Sequence, residues 1–385
     1  MDFSLNGEQR IIQETIRDFV SKECPREVAR ELEESKLFPE GLLNKIAELG
    51  FCGLTVPEEY GGEGVNLFGA IIAVEELSVL SPVLALAYMC PSFGGGAVLS
   101  RFGSKDQKEH FLGPLARGSL LFTIGLAETE AGYSAEQPIK TKAVAVKDGF
   151  RINGKKLFVS LADRAQYCLT LVRTEKPDSE QEEFTFFIID LKSSGIRIKD
   201  MHKMGMKGVN PKEVEFKDVR ISADNILGGR EYLHNGLKQL KDVMDLQNLG
   251  TAACCLGIAQ GVYDYARKHA RERIQFDHPI ISFEAIQYML VDLAVQIDAM
   301  RLLVYRAAVC ADQGNPFSQE INTAIVYGLD LVRKASMQAM QICGGYGYAL
   351  EYDAQRYLRD SFAVPLNGLS PSYFKAVLGY LHGGG

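Results

Sequence analysis

The stretch "FRINGKKLFVS" (150–160) carries the residue types of a β-strand: aromatic and β-branched side chains packed closely, with an Asn-Gly pair at 153–154. Its neighbours read the same way. "LLFTIGLA" (120–127), "KTKAVAV" (140–146), "YCLTLVRT" (167–174), "FTFFIIDL" (184–191) and "EVEFKDVRI" (213–221) are all short and rich in strand-forming residues. Asp148-Gly149 and Asn153-Gly154 are dipeptides of the tight-hairpin kind. "EKPDSEQEE" (175–183) reads as a solvated loop. The spacing predicts an antiparallel β block and argues against a βαβ series, whose strands would alternate with helices.

Helices flank this block on both sides. Ile11, Ile12, Ile16, Phe19 and Val20 recur at a helical period, with Pro25 just beyond, and Leu42, Leu43, Ile46 and Leu49 repeat the pattern. A glycine-rich loop, "EEYGGEGV" (58–65), precedes a helix over 70–80, and Ser104 is placed to cap another. From about 231 the apolar residues recur through 236–271, 282–313 and 318–343 with few breakers. Long helices with one apolar face each predict a bundle that also serves as an oligomer interface. The order is α–β–α: a helical domain over 1–117, a middle β domain over 118–229 and a C-terminal helical bundle over 230–385. The fold class is α+β.

Composition sets further bounds. The 385 residues are 46% hydrophobic and 24% charged, with a net charge of −7. A chain this long can bury a sizeable core and still shape a cofactor pocket. The acidic balance lacks the basic footprint of a nucleic-acid binder. No run of about 18 apolar residues marks a membrane span. The polar, acidic start "MDFSLNGEQR" does not resemble a signal peptide. The eight cysteines form no CxxC pair, which argues against zinc and iron–sulfur sites and predicts reduced thiols in a cytoplasmic protein.

No HExxH, GxSxG or phosphate-binding loop is present, and the six histidines are far apart in sequence. Three less specific pieces remain. "LAETEAGYS" (126–134) follows a strand, so its backbone N–H groups are placed to meet a phosphate or a flavin ring. Arg273, in "RERIQF", offers a planar fork for a pyrophosphate. "QICGGYGY" (341–348) offers bare backbone for close approach to a flat ligand.

Taken in order, these pieces resemble one family. "LTVPEEYGG" (54–62), "LAETEAGYS", "INGKKLFVS" (152–160), "MGMKGVNPKEVEFKDVRI" (204–221), "LGIAQGVYDYA" (256–266), "RERIQFDHPI" (271–280), "QICGGYGY" and "RYLRD" (356–360) are similar to the motif series of the acyl-CoA dehydrogenases, which are FAD flavoproteins. The resemblance covers essentially the whole chain. It implies a helical domain, a β domain and a four-helix bundle, agreeing with the α–β–α order. It also implies FAD. Leu126, Ala127, Glu128, Gly132 and Tyr133 would contact the cofactor, Phe158 would cover the flavin ring and Ser160 would hydrogen-bond near its N5 edge. Arg273 and Phe276 match pyrophosphate and adenine contacts made across a dimer interface, and Gln341, Gly344 and Gly345 match a contact to the same dinucleotide. Ala127 replaces the family's usual Thr, and Tyr133 stands where Ser is usual.

The family's reaction removes an α-proton with a carboxylate and a β-hydride with the flavin. Counted from Arg359-Asp360, the position that usually carries the glutamate is Gly368. Members with Gly there usually place the Glu on a bundle helix. In the matching stretch "MDLQNL" (244–249), Gln247 stands at that place and Asn248 replaces the usual Arg. Asp163 and Glu130 are the acidic alternatives, with Tyr133 a third. Asp245 and Asn248 are expected at the substrate, and Lys207, at a usual Arg position, is the candidate anchor for an anionic one. Three functions follow. One is an oxidoreductase on an acyl thioester, carried by CoA or a carrier protein, passing electrons to an electron-transfer flavoprotein or a similar acceptor. The second is a flavoprotein that cleaves a C–S or C–C bond, desulfinating or decarboxylating its substrate. The third is a base-less subunit supporting an active homologue. A homodimer or homotetramer is expected.

Overall fold

The computed structural model describes residues 4–128, 139–175, 183–364 and 374–379. Seven α-helices come first: α1 (Gly7–Glu23), α2 (Arg26–Ser35), α3 (Glu40–Glu48), α4 (Leu67–Leu80), α5 (Pro82–Pro91), α6 (Ala97–Phe102) and α7 (Lys105–Ala116). α1 starts at a capping box in which Asn6 and Gln9 satisfy each other's backbone N–H. It buries Ile12, Ile16, Phe19 and Val20, while Ile11 faces solvent. Ser104 caps α7 in the same manner with Gln107. A π-helical turn, Ser92–Gly96, joins α5 to α6. The resulting stretch Pro82–Phe102 is long and apolar enough to cross a membrane, yet 89% of its most apolar window is buried inside the protein. It is a core helix.

The middle of the chain forms β1 (Phe122–Gly125), β2 (Lys142–Val146), β3 (Gly149–Ser160), β4 (Tyr167–Thr174), β5 (Glu183–Asp190), β6 (Ile196–Asp200) and β7 (Pro211–Ile221). They make one sheet in the order β1-β4-β2-β3-β7-β6, with β5 also on β4. The sheet is not wholly antiparallel as expected: β1 and β2 each run parallel to β4. Both pairings join strands distant in sequence, so no turn dipeptide announces them. The hairpin at Asp148-Gly149 is present, since Val146 pairs with Gly149. Asn153-Gly154 is not a hairpin. β3 runs through it with a register shift against β7 between Ile152 and Gly154, and Gly154 takes φ +148° where a Cβ would meet Thr141 Cα at 2.5 Å. The pair encodes a bulge that lets two backbones pass closely.

The C-terminal part holds α8 (Gly236–Glu272), a small hairpin of β8 (Ile274–Gln275) and β9 (His278–Pro279), then α9 (Glu284–Asp312), α10 (Ser318–Cys343), the single turn α11 (Gly345–Tyr348) and α12 (Ala354–Ala363). At 37 residues α8 is about 55 Å long. It packs on α4 as well as on α9 and α10. The α4–α8 crossing is close because Gly257 and Gly261 face it: a Cβ there would stand 2.2 Å from Glu75 O and 2.0 Å from Val79 O. One core therefore runs from the first helices through the bundle to one face of the sheet, and a smaller one fills the other face. Asp312, at the end of α9, accepts the free Leu67 and Phe68 N–H groups at the start of α4, tying the first helices to the bundle.

Candidate active site

A cavity opens where the three parts of the fold meet. Leu86, Met89, Cys90 and Gly94 supply one wall from α5 and the π turn, and Thr123, Ile124, Leu126 and Ala127 supply the next from β1 and the chain beyond it. Leu157, Phe158 and Ser160 come from the end of β3. Met244, Gln247, Asn248 and Thr251 come from α8, and Ile325 and Leu329 from α10. Burial pushes the Cys90 thiol up to about 12, so it stays neutral and acts as apolar wall.

Phe158 owes its place to a second irregularity in β3. The register against β7 shifts between Lys156 and Val159, and Phe158 takes φ +55°, a left-handed conformation uncommon for a bulky residue. The ring is 44% exposed and lines the cavity. The bulge re-aims a side chain that simple alternation would have placed otherwise.

Two residues before Phe158 on β3, Lys156 enters a buried ion pair that the sequence reading missed. Lys156 is fully buried; its Nζ donates to Leu126 O at 3.1 Å and to Glu128 Oε1 at 2.7 Å. Glu128 also accepts from the N–H groups of Lys140 and Thr141. Burial alone would raise the Glu128 carboxyl, but Lys156 and these bonds outweigh it and hold the group below the usual carboxylate range. Glu128, expected as a cofactor contact, is not part of the cavity lining. Its carboxylate is engaged by Lys156, whose Nζ also donates to Leu126 O at the cavity wall.

Three other candidate residues stand outside the cavity lining. Asp163 does not reach the cavity, because its carboxylate is paired with Lys212 at 2.9 Å. Asp245 is buried and turned to α10, where it accepts from the Ser318 hydroxyl; burial raises its carboxyl to about 6. Lys207 lines neither this cavity nor the cleft beside it, and its backbone N–H donates to Glu33. The cations near Phe158 are instead Lys203 and Arg359, in a cleft that shares only Leu86, Phe158 and Ser160 with the cavity. Arg359 is held by Glu33 at 2.6 Å and by Met204 O at 2.8 Å. Burial lowers Lys203 to about 8. Glu130, Gly132, Tyr133 and Gly368 lie outside the described residues.

The remaining expected residues gather elsewhere. Arg273, Gly344 and Gly345 line an open basin on the bundle surface with His269, Gln275 and Tyr346. The Arg273 guanidinium lies over the Tyr346 ring at 5.3 Å. Phe276 is 85% exposed at the tip of the β8–β9 hairpin, where it and Asp277 both take positive φ. Gln341 is exposed on the last turn of α10. Basin and cavity share no lining residue.

The fold and cavity define a class, and comparison with known proteins gives its family. Residues 6–119, 123–219 and 234–366 match the N-terminal, middle and C-terminal domains of acyl-CoA dehydrogenase in turn. The chain belongs to the acyl-CoA dehydrogenase family. It is 36% identical over 94% of both chains to a probable acyl-CoA dehydrogenase, YngJ, of Bacillus subtilis. It is 33% identical over 92% of both chains to the CarC subunit of the caffeyl-CoA reductase–Etf complex of Acetobacterium woodii. Among solved structures, butyryl-CoA dehydrogenase from Megasphaera elsdenii superposes with a TM-score of 0.92 at 30% identity, over 98% of this chain and 99% of that one.

Proposed function

We propose that the protein is an FAD-dependent oxidoreductase acting on an acyl-CoA thioester in the cavity between Phe158 and Gln247. The observation that carries this reading is the cavity itself: an aromatic face at the end of β3 opposes an apolar slot between α5, α8 and α10. The residues present fit the cofactor. Phe158 is held out of the sheet by a bulge and offers an exposed ring to a planar ligand. Ser160 brings a hydroxyl to the same wall. FAD, when bound, supplies the two-electron partner of the reaction. Leu126 and Ala127 would line its ring, while Arg273, Phe276, Gln341, Gly344 and Gly345 of a second copy would hold its phosphates and adenine. CoA is the proposed carrier because the relatives are named for CoA thioesters, and an electron-transfer flavoprotein is the proposed redox partner because one relative belongs to an Etf complex.

Proton handling is where this reading departs from a dehydrogenation driven by a carboxylate on α8. Among the described residues no Asp or Glu lines the cavity; outside them, 365–373, "PLNGLSPSY", contains none, while 129–138 carries Glu130 and Glu136. Gln247, at the helix position usual for the base, can hydrogen-bond a substrate but cannot deprotonate one. We infer a thioester redox reaction whose α-proton is exchanged without a carboxylate from α8. The desulfinating and decarboxylating reading is not favoured, since no cation lines the cavity among the described residues. The test is anaerobic titration of the purified protein with saturated and α,β-unsaturated acyl-CoAs, followed by visible absorbance. A yellow protein whose flavin responds to thioesters supports the reading. A colourless protein points to the supporting-subunit alternative.

A further inference from the structure

The reading above accounts for the apolar wall and for Phe158, and it leaves two amides unused. Gln247 and Asn248 are consecutive on α8, and both line the cavity. The Gln247 Nε2 is shielded from solvent and has no hydrogen-bond partner among the described residues. It lies beside the π turn, 3.8 Å from where a Cβ on Gly94 would stand. Asn248 is only 4% exposed, and its side chain makes no hydrogen bond to a described residue. Thr251, one turn further on, does not satisfy either amide side chain, because its hydroxyl donates to Gln247 O at 3.0 Å. A buried amide donor without an acceptor carries its full desolvation cost. Gln247 Nε2 is such a donor, and with the Asn248 amide beside it on the same wall it calls for a ligand that offers oxygen there.

The lining also decides the charge of that ligand. Among the described residues, no Lys, Arg, His, Asp or Glu lines the cavity. Lys203 and Arg359 are on the other side of Phe158, in the adjoining cleft, and Asp245 faces Ser318. A carboxylate or ammonium on the acyl chain would lose its water with no counter-ion to replace it. A plain alkyl chain would cover both amides and leave their donors unpaired. A neutral oxygen meets neither penalty. We infer that the acyl chain of the substrate carries a neutral hydrogen-bonding group, a hydroxyl or keto oxygen, that accepts from Gln247 and Asn248. This rests on the thioester reading and names the substrate class within it.

The experiment uses the purified holoprotein and matched CoA thioesters: butanoyl-CoA, its β-hydroxy, γ-hydroxy and β-oxo derivatives, and succinyl-CoA. Affinity is read anaerobically from the change in the flavin spectrum. At least one hydroxy or oxo derivative should bind about tenfold more tightly than butanoyl-CoA, the effect of one net hydrogen bond, and succinyl-CoA should bind no more tightly than butanoyl-CoA. Gln247→Leu should remove most of that preference. It should also melt at or above the wild-type temperature without ligand, since it removes an orphaned amide. Equal affinity across the set, tightest binding by succinyl-CoA, or a lower ligand-free melting temperature for Gln247→Leu would overturn the inference and leave the thioester reading standing. No spectral response to any thioester would overturn that reading and this one together. The comparison of ligands on the wild-type protein decides the matter even if the variant does not fold.

Discussion

Gln247 shows what can be read from a single position and what cannot. Its place in "MDLQNL" was legible as the helix site where a carboxylate is usual, and the structure brings it to the cavity. Replacing it with Glu restores a carboxylate at that site, so Gln247→Glu should create or raise flavin reduction by saturated acyl-CoAs. A positioned general base is worth roughly 10²–10⁴-fold in rate. In an apolar wall the new carboxyl would titrate above its usual range, so the gain should grow as pH rises. Stopped-flow reduction of wild type and variant at several pH values checks this; no gain at any pH would place proton transfer elsewhere. The partners of other acidic residues were not legible because they come from distant strands and helices. Glu128 is taken by Lys156, Asp163 by Lys212 and Asp245 by Ser318, and no local pattern announces any of these pairs. Asp245 yields a second prediction. Its carboxyl titrates near 6 in the fold, raised by burial, and near the ordinary 3.8 when unfolded. The native state then binds the proton more tightly, so this group favours folding below the unfolded value and loses that contribution as pH climbs through about 6. Asp245→Asn, which can still accept from Ser318, should melt higher relative to wild type at pH above that value than below it. A melting difference that does not vary with pH would contradict this.

At the scale of elements, the helices were the most legible part and the sheet the least. The expected spans 236–271, 282–313 and 318–343 correspond to α8, α9 and α10 within two residues at each end, because one helical period runs unbroken through each. Six strands of the large sheet were recognised, β6 (Ile196–Asp200) was not, and the parallel pairings were not. β1 and β2 lie parallel to β4, and both bulges of β3 depend on contacts across the sheet. A bulge leaves the strand's residue types unchanged and only shifts which face each side chain meets, so the exposed ring of Phe158 is invisible in "LFVS". The α4–α8 crossing gives a prediction in which two effects compete. Gly→Ala inside a helix ordinarily gains about 1 kcal/mol. At Gly261 the new Cβ would fall 2.0 Å from Val79 O, a backbone atom with no rotamer to escape into. Overpacking of this kind costs about 1–3 kcal/mol and takes the larger share where backbone must move. Gly261→Ala should therefore lower the denaturation midpoint; a rise would mean that α4 shifts freely along α8.

At the scale of the whole molecule, the α–β–α order was readable from the switch between helical and strand residue types, and the family resemblance rested on motifs spread along the entire chain. What one chain leaves uncovered points to assembly. Tyr288, Val295, Leu302 and Val309 are exposed at seven-residue intervals along α9, with Val291 beside them. Such a stripe forms one continuous apolar face, and the Arg273 basin lies apart from the cavity in the same chain. We expect an oligomer joined through the bundle. Leu302→Glu combined with Val295→Glu should give a smaller species by light scattering at micromolar concentration and should retain less FAD. A wild type that is already monomeric would refute this. The central claim, that the cavity between Phe158 and Gln247 performs flavin chemistry on an acyl thioester, is tested most directly by anaerobic titration of the purified wild-type protein with acyl-CoAs while its visible spectrum is followed. The account predicts bound FAD whose spectrum changes and saturates on titration with a suitable thioester. A protein that takes up no FAD, or whose flavin spectrum stays unchanged with every saturated, unsaturated and oxygen-substituted thioester, would contradict it.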